Sequence, residues 1–368
     1  MDGLSPIMDP ARAQLLATEP VHALRVGLVV PISGLLGLIG PAAINCAALA
    51  TAELNAAGGV LGRPVELVLV DGGRPAAAVA GEVGSLVRTG AVHAVVGLHA
   101  SDVRVAVARA IGAAVPYVYT PPYEGGERSP GVYLAGETPG SQLRPVLRWL
   151  AGQGRARRWF LLGNDYVWPR RVHEAARRYL AEVGATVAGE RYVDRGAVDP
   201  QPLLDRLVAS RVDAVLLTLI GRDLVLFNRA FAGSQLAQRV LRLCPALEEN
   251  GLLGAGGDTT GELYASMGYF ATVLTEPGLA FGASYARRFG VHAPVPGGHS
   301  ESCYEGVRLL AALAERAGTL ATAAMDAVAD GTTLYGARGL LSVRGRHLLA
   351  PTYLARADGL DLDVVASF

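Results

Sequence analysis

Residues 24–71 read LRVGLVVPISGLLGLIGPAAINCAALATAELNAAGGVLGRPVELVLVD. LRVGLVV (24–30) is an apolar run of strand length. The alanine-rich segment 41–57 has helical character, and Pro41 suits a first helical turn, where the amide has no intrahelical acceptor to lose. The glycines of AGGVLGR (57–63) stop that helix, and VELVLVD (65–71) is the next strand. A strand, a helix and a second strand in so short a span form the βαβ unit of a parallel sheet.

The period continues outward. A helix near 75–89, the strand HAVVG (93–97), a helix over 102–113 and the strand PYVYT (116–120) extend the first series. The pattern restarts after Ser141, with a helix over 141–152, the strand RWFLLG (158–163) and a helix over 169–184. ERYVD (190–194), a helix opened by Asp199 and Pro200, DAVLLTL (213–219), a helix over 223–233 and RVLRLC (239–244) follow. Two such series predict an α/β protein with two doubly wound parallel-sheet lobes. The remainder holds helices near 300–317 and 320–329 and two strand-like runs, GLLSV and PTYLARA. No proline- or serine-rich linker separates the series, so short hinges are expected to join them.

Composition narrows the chemistry. The chain has 368 residues, 51% of them hydrophobic, enough for two domains with sizeable cores. Acids and bases balance at 33 each, which gives no electrostatic footprint for nucleic acid or an anionic membrane. Every basic residue is arginine, so a Schiff-base, P-loop or kinase lysine is excluded. Cys46, Cys244 and Cys303 are far apart and odd in number, which fits buried small hydrophobes and neither a disulfide framework nor a zinc site. The first 21 residues lack the basic and apolar regions of a secretory signal. No uncharged apolar stretch reaches membrane-span length, so no membrane insertion is expected. The chain reads as cytoplasmic, or as an exported protein if a leader has been removed.

No GxSxG, HExxH or Walker A motif occurs, no cofactor motif is found, and the seven histidines show no metal spacing. GAGGDTTG (254–261) does not fit GxGxxG and reads as a turn. His99 follows a strand; His299 and Glu301 flank a helix start. In open α/β sheets, ligands bind outside the carboxyl ends of the strands. Those ends collect Pro31–Gly40, His99–Ser101, Tyr119–Tyr123, Asn164–Trp168, Thr218–Arg222 and Cys244–Glu249. Hydroxyls, aromatics and a carboxylate suit enclosure of a small molecule, without a nucleophile–base pair visible in the sequence. Tyr166 and Trp168 fall between a strand and Pro169, which places them on a strand-to-helix loop at that edge, with core packing as the alternative reading.

These segments, in this order, resemble the type I periplasmic-binding-protein superfamily, in particular its branch for branched-chain amino acids, urea and short-chain amides. GLVVPISGLLGLIGPAA, ATAELNAAGGVLGRPVELVLVDGG and ESCYEGVRLLAALAERAG are similar to that branch as a whole. TPPYEGGERSPGVYLAGETPGSQ and GNDYVWPRR are similar to its urea and amide members. The resemblance implies two lobes joined by three crossings, one of 22–141 plus 272–340 and the other of 142–271 plus 341–368, behind a leader of residues 1–21. It also implies a cleft in which Ser101, Tyr119, Thr120 and Tyr123 face Tyr166, Trp168 and Glu248. His99 stands where amide binders often carry tyrosine, and Pro121 where threonine is common.

The resemblance implies a non-catalytic solute-binding protein that closes over an amide, a urea or a branched-chain amino acid. Its partner would be an ABC permease or, for a cytosolic amide sensor, an RNA-binding regulator; a homodimer is compatible with either. An enzyme acting on a small amide in the same cleft is the alternative.

Overall fold

The computed structural model describes residues 7–18 and 22–368. In chain order, the first stretch contains β1 (Ile7–Met8), α1 (Pro10–Leu15), β2 (Leu24–Val30), α2 (Gly40–Ala56) and β3 (Val65–Asp71). It continues through α3 (Ala76–Arg88), β4 (Ala94–Gly97), α4 (Ser101–Ile111), β5 (Tyr117–Tyr119) and β6 (Val132–Leu134). Next come α5 (Pro139–Gln142), α6 (Arg144–Gly152), β7 (Arg158–Asn164), α7 (Val167–Glu182), β8 (Thr186–Val193) and α8 (Pro200–Ser210). β9 (Ala214–Thr218), α9 (Gly221–Ala232), β10 (Leu241–Cys244), α10 (Glu249–Ala255) and β11 (Leu263–Met267) complete that run. The chain closes with α11 (Glu276–Phe289), α12 (Gly298–Ala317), α13 (Thr322–Ala329) and β12 (Thr333–Gly336), then β13 (Gly339–Arg344), β14 (His347–Leu349), β15 (Tyr353–Asp358) and β16 (Asp361–Ser367).

These elements form two compact units. The first takes the described residues up to Pro121, with Gly126–Gly136 and Leu274–Ala350; the second takes Pro122–Gly125, Glu137–Val273 and Pro351–Phe368. Beyond the short Pro122–Gly125 excursion, the chain passes from unit to unit at 136/137, 273/274 and 350/351. The division expected at 340/341 falls inside β13. That strand and β14 pair with the first sheet, so the last segment of the second unit starts ten residues later. The described part of the expected leader is also no separate segment, because β1 pairs in parallel with β3. Residues 1–6 and 19–21 of that leader lie outside the described residues.

The first unit carries a nine-stranded sheet in the order β1-β3-β2-β4-β5-β6-β14-β13-β12. Pairing is parallel from β1 to β14 and antiparallel in the β12–β14 meander. β2 is buried along its whole length, as a strand covered on both faces must be. The second unit carries a seven-stranded sheet, β16-β15-β11-β10-β9-β7-β8, parallel from β8 to β11 with an antiparallel hairpin, β15–β16, beyond. Both sheets are therefore mixed, with parallel pairs dominant. The strand order reverses between β2 and β4 in the first and between β7 and β9 in the second. Such switch points open a crevice at the carboxyl ends of the strands.

The stretch Gly37–Ala56 is long and apolar enough to cross a membrane by length and composition, and more than half of it is buried. It contains α2, which packs against α12 in the first unit. The three cysteines are buried and form no disulfide.

Candidate functional site

At the carboxyl edge of the first sheet, Asp71 ends β3 and ties down the loop after β2. Its carboxylate accepts from the amides of Ile32 (2.9 Å), Ser33 (3.2 Å) and Gly73 (2.9 Å) and from the Ser33 hydroxyl (2.6 Å). Burial works to raise the Asp71 pKa, but the Ser33 hydroxyl and the three amides together hold it below the usual range.

Next to it, His99 is 2% exposed, just after β4. Its Nδ1 lies 3.2 Å from the Ala100 carbonyl and its Nε2 2.9 Å from the Tyr117 hydroxyl. A carbonyl only accepts, so Nδ1 carries the proton and Nε2 accepts from Tyr117. Burial, outweighing the Ala100 bond, pushes the imidazole pKa down to about 4, so it is neutral at pH 7. Gly97 makes room for it: a Cβ there would stand 2.6 Å from His99 Nε2. Tyr119 donates to the His99 carbonyl (2.7 Å) and lies under the Arg104 guanidinium, 5.4 Å from the ring centre. Arg104 in turn pairs with Glu127 of the following loop. The Thr120 hydroxyl lies 3.3 Å from the Gly97 carbonyl and 3.7 Å from Cys303 Sγ on α12.

Ser101 is buried and is the first residue of α4, in the turn whose amides have no intrahelical acceptor. His99, Ser101, Tyr119 and Thr120 therefore do come together at one sheet edge, with the hydroxyls of Tyr119 and Thr120 directed to backbone carbonyls. Tyr123 is 3% exposed and its amide bonds to the Glu137 carbonyl (2.9 Å).

The second unit repeats the arrangement. Tyr166 is the half-buried N-cap of α7, and Trp168, 4% exposed, lies in that helix's first turn. Their ring centres are 6.4 Å apart, and the Arg195 guanidinium lies 4.9 Å from the centre of the Tyr166 ring. Trp168 is thus on a helix, where a loop was expected. Pro169 occupies the third helical position, where an amide has no i−4 partner to lose.

Asn164 fixes this corner: its Oδ1 accepts from the Ile220 amide (2.9 Å) and its Nδ2 donates to Asp223 (2.7 Å), which also accepts from the Gly196 amide (2.8 Å). One turn along α7, His173 is fully buried, with Nδ1 3.0 Å from Glu190 and Nε2 2.8 Å from the Thr218 hydroxyl. Burial drives its pKa to about 4 even though Glu190 works the other way. Thr218, His173 and Glu190 line up as a nucleophile, base and acid would. Thr218 and His173 are both fully buried, so the arrangement ties α7 to β8 and β9.

Glu248 ends the loop after β10. It is 1% exposed, is the N-cap residue of α10 and accepts from Asn250 Nδ2 (3.0 Å). Its neighbour Glu249 was not singled out by the sequence reading. It accepts from the Ala271 amide (2.6 Å), and burial followed by the charge of Glu248 pushes its pKa up to about 8. Only the doublet of acids after a strand could have signalled it. His299 and Glu301 lie in the first turn of α12, with Glu301 3.9 Å from Arg338. GAGGDTTG closes α10: Gly256 takes a left-handed conformation (φ +92°), and Asp258 pairs with the buried Arg242 (2.7 Å). Among the described residues no group of three or more His, Cys, Asp or Glu could hold a metal ion.

Solved structures share this fold. A periplasmic binding protein from Burkholderia mallei matches with a TM-score of 0.84 at 17% identity, over 94% of this chain and 95% of that one. An ABC-transporter solute-binding protein from Rhodopseudomonas palustris, in complex with 4-hydroxybenzoate, matches at 0.81 and 20% identity, over 94% and 97%. A branched-chain amino acid transporter substrate-binding protein from Streptococcus pneumoniae, in complex with isoleucine, matches at 0.79 and 19% identity, over 93% and 99%. A family model described as periplasmic binding protein matches residues 23–361, and the chain belongs to that family.

Proposed function

We propose that this chain is the capture subunit of an ABC importer and that its ligand is a small amino acid with an apolar side chain. The observation that carries this reading is that each unit, taken by itself, offers a different chemistry at the carboxyl edge of its sheet. In the first unit, Ser101 and the opening amides of α4 are donors suited to a carboxylate. In the second, Glu248 is a buried carboxylate at the end of β10, suited to an ammonium. Tyr166 and Trp168 supply aromatic surface for an apolar side chain. The solved structures that bind isoleucine and 4-hydroxybenzoate support a carboxylate-bearing ligand.

A short amide or urea is the second reading. It is favoured by the neutral hydroxyls of Tyr119 and Thr120 and by the likeness of GNDYVWPRR to amide binders. For an enzyme acting on an amide in the same place, no accessible nucleophile–base pair is found among the described residues. Binding of the folded state alone stabilises it by about 2.7 kcal/mol at a hundredfold excess of ligand over Kd. At this chain length that raises Tm by roughly 5–10 °C. A melting screen of amino acids, amides, ureas and aromatic acids is the test. Apolar amino acids should shift the curve, and Glu248→Gln should abolish that shift. A shift with amides alone would replace the first reading by the second, and a shift with sugars or nucleosides alone would overturn both.

A further inference from the structure

A cavity of about 450 Å³ lies in the first unit, away from the strand ends, in the groove between α2 and α11. Its α2 wall is a stripe at helical spacing: Leu49, Ala52, Glu53 and Ala56. Ala52 and Ala56 are too small to fill the space between the helices, which leaves an apolar wall. The α11 wall is polar, with Ser284 and Arg287 one turn apart and Arg288 beside them. Glu53 is already matched, accepting from the Tyr304 hydroxyl (2.7 Å) and from Arg308 (3.0 Å). Arg287 is exposed and has no ion-pair partner among the described residues. Arginine in the last turn of α11 offsets the helix dipole, but that role does not require a cavity of ligand size beside it.

We infer that this groove is a second binding site, for a small amphipathic monocarboxylate. The guanidinium of Arg287 and the hydroxyl of Ser284 take the carboxylate, and an aliphatic or aryl body lies on Leu49, Ala52 and Ala56. Inorganic phosphate has no apolar body to bury on Leu49, Ala52 and Ala56, so it gains nothing from the α2 wall.

The probe is 4-benzoylbenzoate, photo-crosslinked to the full chain and located by peptide mapping. Labelling is expected on the peptides carrying Leu49–Ala56 and Ser284–Arg288. Benzoate should compete, benzamide and inorganic phosphate should not. Arg287→Ala should weaken labelling about tenfold, the equivalent of one charge-assisted hydrogen bond. Ala52→Trp, which fills the groove from a half-exposed position, should remove it. Trp168→Ala should leave it unchanged, so the result is independent of the ligand reading above. Absence of labelling in the groove, labelling unaffected by both groove variants, or competition by benzamide equal to that by benzoate would each overturn the proposal.

Discussion

The two units solve the same problem with different neighbours. Each buries a histidine beside the switch point of its sheet, His99 after β4 and His173 against β7 and β9. In both, Nδ1 donates and Nε2 accepts from a hydroxyl, that of Tyr117 or of Thr218. Each histidine also sits close over a strand glycine: a Cβ at Gly97 would stand 2.6 Å from His99 Nε2, and one at Gly163 would stand 3.3 Å from His173 Cε1. The difference is the acceptor at Nδ1, a neutral carbonyl for His99 and the Glu190 carboxylate for His173. Yet both pKa values fall to about 4. Burial, more than the partner, sets the protonation state. Each unit also buries an arginine–carboxylate pair, Arg338–Glu305 in the first and Arg242–Asp258 in the second.

The largest effects should come from those ion pairs. Asp258→Ala leaves Arg242 buried without its carboxylate and should cost about 3–5 kcal/mol. Glu305→Ala should cost less, because Arg338 still has Glu301 at 3.9 Å. Calorimetry of the two variants checks the order, and equal losses would break the distinction.

Acid should act next. The unfolded chain protonates both histidines near 6.5, whereas the folded state resists protonation down to about 4. Their stabilisation is therefore complete above pH 6.5 and is lost as the pH falls from there towards 4, by up to about 3 kcal/mol each. Replacing either histidine by glutamine should flatten that part of the stability profile. Glu190→Gln should lower the His173 titration further and leave His99 where it is, which imidazole proton shifts in NMR would show.

Trp168→Ala should weaken binding of the cognate ligand by roughly 1–3 kcal/mol, the scale of one buried aromatic side chain. Unchanged affinity by calorimetry would confine Trp168 to packing. The smallest expectation is a null signal. Burial pushes the Cys244 thiol up to about 12, and all three cysteines are buried, so a thiol reagent should label the native chain negligibly and the unfolded chain at three positions.

Much of this fold was legible because strand runs such as LRVGLVV and VELVLVD are long and bounded by glycine or proline. The elements that escaped were short or irregular. β6 has three residues, β11 (LYASM) follows a glycine-rich turn, and α11 lies in a stretch where the reading placed no element. The C-terminal boundary was misplaced because GLLSV belongs to a meander held in the first sheet by β14, whose partner β6 is far away in sequence, and a local pattern does not encode that pairing. At the candidate site, residue types at strand ends identified His99, Ser101, Tyr119 and Thr120 as neighbours. Hydrogen-bond partners such as Tyr117 for His99 and Thr218 for His173 come from other elements, through strand register in the first case and helix-on-sheet packing in the second.

The sheet order also sets a timetable for synthesis. β6 waits for β14, and β11 waits for β15, so each unit begins with its N-terminal strands and is finished by segments near the end of the chain. While the ribosome still holds the last residues, the second sheet presents β11 as an open edge, its amides and carbonyls free to pair with another nascent chain. Premature termination before Tyr353 would make that exposure permanent. Such a truncated product would be a substrate for chaperones and a seed for aggregation, even with most of the parallel sheet in place.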